Sequence, residues 1–308
     1  MLFIAWSRDA VIRMANAFHC RAHIRHRRLA ILIAVALLAP VSVPVLAAPA
    51  VTVETAVQEI VEVATASAAV MRVRVLRPAG KGPFPLAIVN HGSPVDATER
   101  RAMELPTFPS ASNWLLARGY AVALPLRRGY GETGGPWVEG YGSCRNPDYY
   151  RAGLATADDI QSVMDFFRDR SDLARDRILL IGWSAGGWGS IAAASRNPRG
   201  VLAAVNLAGG RGGNPAAGNC TAERLVAAAG RYGATARIPS VWLYSANDRF
   251  FGPDLSRAMF DAHVGAGGRA EYVSLPAFGA DGHRIFRAAD ARALWQPPVE
   301  RFLAGLKP

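Results

Sequence analysis

Cysteine is scarce in this chain, with three in 308 residues at positions 20, 144 and 220. So few exclude a miniprotein held together by disulfides. Lysine is scarcer still: Lys81 and Lys307 are the only two, so the formal charge of +11 rests on arginine. Those arginines form no interleaved basic and aromatic stripe, which argues against a nucleic-acid partner. Six of them (Arg8, Arg13, Arg21, Arg25, Arg27, Arg28) stand against a single acid, Asp9, within residues 1–50, so nearly half of the net charge belongs to the N-terminal segment. Charged residues make up only 19% and hydrophobic ones 51%, which excludes disorder and suits one large core. An unbroken apolar run long enough to span a membrane, about 20 residues, is also missing. The uncharged stretch from Leu29 to Val53 is interrupted by Pro40, Pro44 and Pro49.

What the N-terminus does contain is a basic block over 21–28, an apolar run over 29–39 and small residues around Ala47 to Ala50. This is the pattern of an export signal over 1–50, with Met1 or Met14 as its start. The expected location is periplasmic or secreted, without stable membrane association once the signal is cleaved; the alternative is an uncleaved anchor. Export leaves Cys144 and Cys220 as an even pair in an oxidising compartment, which predicts a disulfide, the alternative being two unrelated buried thiols.

From residue 70 onward short apolar runs alternate with helical patterns, the signature of a parallel sheet with crossover helices. Strands are expected over 71–76, 86–90, 120–124, 178–183, 201–207, 240–244 and 270–275. Helices are expected over 110–117, 155–168, 187–195, 254–263 and 288–303. The fold class is α/β, and residues 51–308 read as one catalytic domain. Two segments break the alternation, 127–150 and 209–237, each holding one cysteine; both read as long rim loops.

The strand over 178–183 runs into Gly182-Trp183-Ser184-Ala185-Gly186. Small residues on both sides of a serine at a strand-to-helix turn are what a strained, projecting nucleophile requires. Its base must come from His91, His263 or His283. His263 sits in a helical pattern and His91 in a turn after a strand, whereas His283 lies in a loop after the last strand, which makes it the candidate base. The orienting acid is expected at Asp248, in the loop after the strand over 240–244; Asp254 is second, because after Gly252-Pro253 it better starts a helix. The order Ser184, Asp248, His283 differs from that of other serine-hydrolase architectures.

With Asn90-His91-Gly92-Ser93, Arg128-Gly129-Tyr130-Gly131 and Asp281-Gly282-His283, the chain resembles the α/β-hydrolase superfamily over about residues 70–304. Within it, the resemblance is to dienelactone-hydrolase-like and prolyl-oligopeptidase-like enzymes. It implies a mostly parallel sheet with helices on both faces and no large cap domain. It also implies an oxyanion hole made by the N–H groups of Ser93 and Ala185, since Pro94 has none to give. Dienelactone hydrolases proper carry cysteine where this chain has Ser184, so their substrate does not follow.

The expectation is a serine hydrolase that cleaves an ester or related acyl bond of a small-molecule substrate through an acyl-enzyme. A peptidase or amidase of small substrates, or a non-catalytic binding protein of the same fold, are the alternatives. No cofactor or metal is expected, because the three histidines of the mature chain form no ligand pattern. A Cys144–Cys220 bridge is expected to clamp the pocket rim, with Tyr130, Trp137, Tyr141, Tyr149 and Trp183 as candidate walls. Arg145, Arg211 and Arg249 are expected as solvated surface arginines, the alternative being contacts to an acidic substrate group.

Overall fold

The computed structural model describes residues 51–306 apart from 68 and 217. The expected export signal, with Cys20, lies outside the described residues.

Eight strands form one sheet in the order β1-β2-β4-β3-β5-β6-β7-β8. Val57–Ala64 (β1) and Val70–Arg77 (β2) make an antiparallel hairpin, and β2 runs antiparallel to Ala121–Leu126 (β4). The remaining neighbours are parallel: Phe84–Asn90 (β3), Leu173–Trp183 (β5), Val201–Leu207 (β6), Ser240–Ser245 (β7) and Ala270–Leu275 (β8). Every residue of β4 and β7 is buried, as strands covered on both faces must be.

Ala97–Arg101 (α1) and Pro109–Leu116 (α2) connect β3 to β4; Tyr149–Arg168 (α3) connects β4 to β5, and Ala185–Ala194 (α4) connects β5 to β6. Ala222–Thr235 (α5), Pro253–Gly265 (α6) and Arg292–Ala304 (α7) complete the helices. One face of the sheet buries Ile160, Trp188, Leu225 and Met259 of α3 to α6, and the other buries Trp114 and Leu115 of α2 with Trp295 and Phe302 of α7. From β3 the chain passes to β4 on one side, then crosses back to β5 on the other. The carboxyl ends of β3 and β5 therefore flank a topological switch point, where open α/β sheets form their crevice.

Three expectations are corrected. A strand precedes the expected region, since β1, at the sheet edge and with five of eight positions exposed, mixes Gln58, Glu59 and Glu62 with its apolar residues, and β2 then passes to β3 without a helix between them. Residues 209–237 are not one long loop, since α5 occupies half of them. Its buried positions Leu225, Ala228, Ala229, Tyr232 and Gly233 have helical spacing and stand opposite exposed Glu223, Arg224 and Arg231, but the glycine-rich run before it makes the whole segment read as loop. Finally, α3 begins at Tyr149, six residues before the expected start.

Candidate active site

At the end of β5, Ser184 adopts φ 55° and ψ −124°, a conformation that L-residues avoid. It costs of order 1–3 kcal/mol, and the surroundings over-determine it. The Ser184 N–H donates to the carbonyl of Leu207 (3.0 Å), while its own carbonyl accepts from the N–H groups of Trp188 (3.0 Å) and Gly210 (3.3 Å). A Cβ on Gly182 would overlap the Gly186 carbonyl, and one on Gly186 would overlap the carbonyls of Asn90 and His91. Only glycine lets the turn close this tightly, so the Ser184 hydroxyl stands at the carboxyl edge with α4 starting behind it.

The loops after β7 and β8 bring the other two residues to that hydroxyl. His283 Nε2 lies 3.0 Å from Ser184 Oγ, and Nδ1 lies 3.0 Å and 3.1 Å from the two carboxylate oxygens of Asp248. All three residues are buried. Asp248 is held by the N–H groups of Phe250 (2.8 Å) and Phe251 (2.9 Å), which donate to its Oδ1. His283 stacks on the ring of Phe250 with centroids 4.2 Å apart. Its backbone N–H donates to Asp281 (3.0 Å), and its carbonyl accepts from the indole N–H of Trp183 (2.7 Å). Asn247 ties the two loops together, accepting from the Phe278 N–H at 2.9 Å and donating to the Gly279 carbonyl at 3.0 Å. Asp254 is exposed in the first turn of α6.

The turn after β3 approaches from the opposite side. A Cβ on Gly92 would stand 2.8 Å from the Trp183 ring and 3.1 Å from Ser184 Cβ, so glycine allows this contact. Neither the Ser93 nor the Ala185 N–H has an acceptor among the described residues, and both residues border the space in front of Ser184. Asn90 anchors the turn, donating to the Ile181 carbonyl (3.2 Å) and to Ser190 Oγ (3.1 Å). His91 is buried behind it. Its Nδ1 contacts the Gly92 carbonyl (2.6 Å), and its Nε2 accepts from the Arg127 N–H (3.2 Å). Burial, reinforced by the Arg127 charge, pushes His91 down to about 3, so it is a neutral brace. His263, buried beneath Trp242 and pushed down by burial to about 4, lies in α6 and is not among the residues gathered at Ser184.

Beneath this turn lies a charged cluster that sequence reasoning missed. Arg127 and Arg211 both pair with Glu139, to which Tyr130 also donates (2.7 Å). Burial alone would raise the Glu139 carboxyl, but the two guanidiniums outweigh it and hold it well below the usual range. The expectation of a solvated Arg211 is corrected: it is buried and also donates to Thr156 (3.0 Å), because Glu139 supplies a partner inside the core. Arg145 and Arg249 are exposed, as expected.

Two hollows meet at Ser184. The larger, about 660 Å³, is bounded by Trp183, Phe250, His283 and the segment 103–109. The smaller, about 70 Å³, is bounded by Trp137, Tyr141, Ala185, Gly210 to Gly213 and Phe251. The predicted walls are thus half right. Trp137 and Tyr141 line the small hollow and Trp183 the large one, but Tyr130 and Tyr149 are buried in packing. The main wall comes from the segment before α2, not from the two cysteine loops. Cys144 and Cys220 are bonded to each other (Cα–Cα 4.9 Å) and sit behind the small hollow, where Thr221 Oγ1 donates to the Cys144 carbonyl at 2.9 Å.

Residues 106–209 match the prolyl oligopeptidase family. Comparison with curated proteins finds no match. Among solved structures, the chain is similar to a Klebsiella pneumoniae protein described as a dienelactone hydrolase, with 20% identity and TM-score 0.54 over 81% of this chain and 97% of that one. It is also similar to an esterase of Pyrococcus furiosus, with 15% identity and TM-score 0.58 over 82% and 91%. An acylaminoacyl peptidase of Pyrococcus horikoshii matches with 17% identity and TM-score 0.58 over 82% of this chain but 42% of its own length. At these identities the likeness is one of fold.

Proposed function

We propose that the chain, which has the α/β-hydrolase fold and whose likenesses fall in the dienelactone-hydrolase-like and prolyl-oligopeptidase-like branch, is a serine hydrolase cleaving esters of small molecules. The observation that carries the reading is the continuous relay from Ser184 Oγ through His283 to Asp248, at 3.0 Å and 3.0 Å, beside Ser93 and Ala185, whose N–H groups have no acceptor among the described residues and which line the same space.

In the proposed reaction His283 Nε2 takes the Ser184 proton as Oγ attacks the ester carbonyl, and Asp248 stabilises the imidazolium and fixes its tautomer. The N–H groups of Ser93 and Ala185 hold the oxyanion. His283 then returns the proton to the departing alkoxide, leaving an acyl-Ser184 ester. Water, deprotonated by the same nitrogen, releases the carboxylic acid and restores the serine.

Export to an oxidising compartment is part of the proposal. Its supports are the N-terminal signal pattern and the Cys144–Cys220 bond; among the described residues no helix is long and apolar enough to cross a membrane.

Labelling by a fluorophosphonate probe tests the nucleophile. Labelling at Ser184, abolished in Ser184→Ala together with hydrolysis of p-nitrophenyl acetate, is expected. A folded protein that neither reacts with the probe nor hydrolyses any ester would favour a binding protein instead.

A further inference from the structure

We infer that the substrate is an ester of a short acyl group, two or three carbons long, with a bulky and largely apolar alcohol. This rests on the serine hydrolase reading and adds to it which half of the substrate goes where.

The two hollows at Ser184 share Ser93, Pro94, Val95 and Phe250 and then diverge. His283 borders the large one but not the small one. The group that returns a proton to the leaving oxygen must face that oxygen, so the alcohol lies on the side of the large cavity. The acyl substituent then points the other way, past Ala185 toward Gly210 to Gly213 and the two aromatic rings.

Size separates the two halves. A cavity of about 660 Å³ falls in the range that accepts ligands of drug size. One of about 70 Å³ is roughly a tenth of that, room for a short acyl group and not for a substituent as bulky as the large cavity accepts. The walls of the small hollow are also fixed. Trp137 donates its indole N–H to Tyr130 (2.9 Å), and the Arg100 guanidinium lies 3.8 Å above its ring. Tyr141 packs on Tyr149 with centroids 5.2 Å apart, and its segment is tied down by the Cys144–Cys220 bond. Gly210 packs against Phe251 so closely that a Cβ would stand 2.5 Å from the ring. The large cavity is walled by Met103, Leu105, Pro106, Phe108 and Trp183, with Glu99, Glu104 and Arg287 also at its lining. Such walls suit an apolar alcohol with a polar outer end.

Two ester series measure this. With 2-naphthol held constant and the acyl group lengthened from acetate to hexanoate, kcat/KM should fall about 100-fold or more. With acetate held constant, it should rise from ethyl to 2-(2-naphthyl)ethyl, two alkyl alcohols of similar leaving ability. Trp137→Ala and Tyr141→Ala should each raise the hexanoate-to-acetate ratio about tenfold, and Leu105→Trp should lower the ratio of bulky-alcohol to ethyl acetate cleavage. The two wild-type series stand without any variant. Equal cleavage of hexanoate and acetate, or a preference for long acyl chains on small alcohols, overturns the inference while leaving the hydrolase intact. Absence of both probe labelling and hydrolysis of any ester overturns the hydrolase reading, and this inference with it.

Discussion

Trp183 donates its indole N–H to the backbone carbonyl of His283 at 2.7 Å, so the residue before the candidate nucleophile holds the loop of the candidate base. The same ring lies against Gly92, so three of the four segments that build the site, those after β3, β5 and β8, meet on one side chain. Trp183→Phe keeps most of that apolar surface but leaves the carbonyl without its donor. Kcat for p-nitrophenyl acetate should fall about tenfold, since small displacements of an acid-base group are costly, with a loss of about 1 kcal/mol in urea unfolding. An unchanged kcat would show that Phe250 stacking and the contacts to Asp248 and Asp281 position His283 without Trp183.

The choice of acid is tested by a matched pair. Asp248→Asn replaces a buried carboxylate facing Nδ1 with an amide that can present its N–H there and select the wrong tautomer; kcat should fall by about 10⁴. Asp254→Asn alters an exposed first-turn residue of α6 and should leave kcat unchanged, with at most a few tenths of a kcal/mol lost from its interaction with the helix dipole. The reverse pattern in steady-state kinetics would move the acid to Asp254.

Much of this site was legible because its chemistry sits at punctuation. Ser184, Asp248 and His283 each follow a strand, and glycines at 182, 186 and 282 mark the tight turns beside Ser184 and His283. The pocket was less legible. The segment 103–109 carries two prolines and no periodicity, so nothing local indicates that it walls the larger cavity. Arg211 read as a surface residue because its partner Glu139 is 72 positions away, and a buried ion pair leaves no local trace in either segment. Helix α5 was hidden for a different reason, the glycine-rich run over 209–218 that precedes it, although its own residues carry the helical period.

Stability should fall as the medium becomes acidic, with part of the slope assignable to two histidines outside the relay. In the folded state burial depresses His91 to about 3 and His263 to about 4, from an ordinary value of 6.5. A depressed folded value means that the unfolded chain takes up the proton first. The stabilisation is fully present above pH 6.5, shrinks as pH falls below that value, and is lost once the folded values are passed. Between pH 7.5 and pH 5.0 each histidine should cost of order 2 kcal/mol. His263→Leu removes one of these protons, so the loss between the two pH values in urea unfolding should shrink by about that amount. An identical loss in variant and wild type would place the acid sensitivity elsewhere.

The bond between Cys144 and Cys220 closes a loop of 76 positions that contains all of α3, β5 and α4. Cross-linking so long a segment restricts the unfolded chain and should stabilise the fold by about 4 kcal/mol in the chain-entropy account. A Cys144→Ser/Cys220→Ser double variant should therefore unfold at a clearly lower urea concentration, with a steeper denaturant slope because the unfolded chain without the cross-link exposes more surface. The Tyr149 hydroxyl donates to the Cys220 carbonyl, and Tyr141 packs on that same tyrosine, so the wall of the small hollow depends on the bridge as well. Acetate cleavage should persist in the double variant, because Ser184, His283 and Asp248 are held by other contacts. Equal urea midpoints for the two proteins, or two titratable thiols in the exported wild-type chain, would remove the bridge from the account of stability.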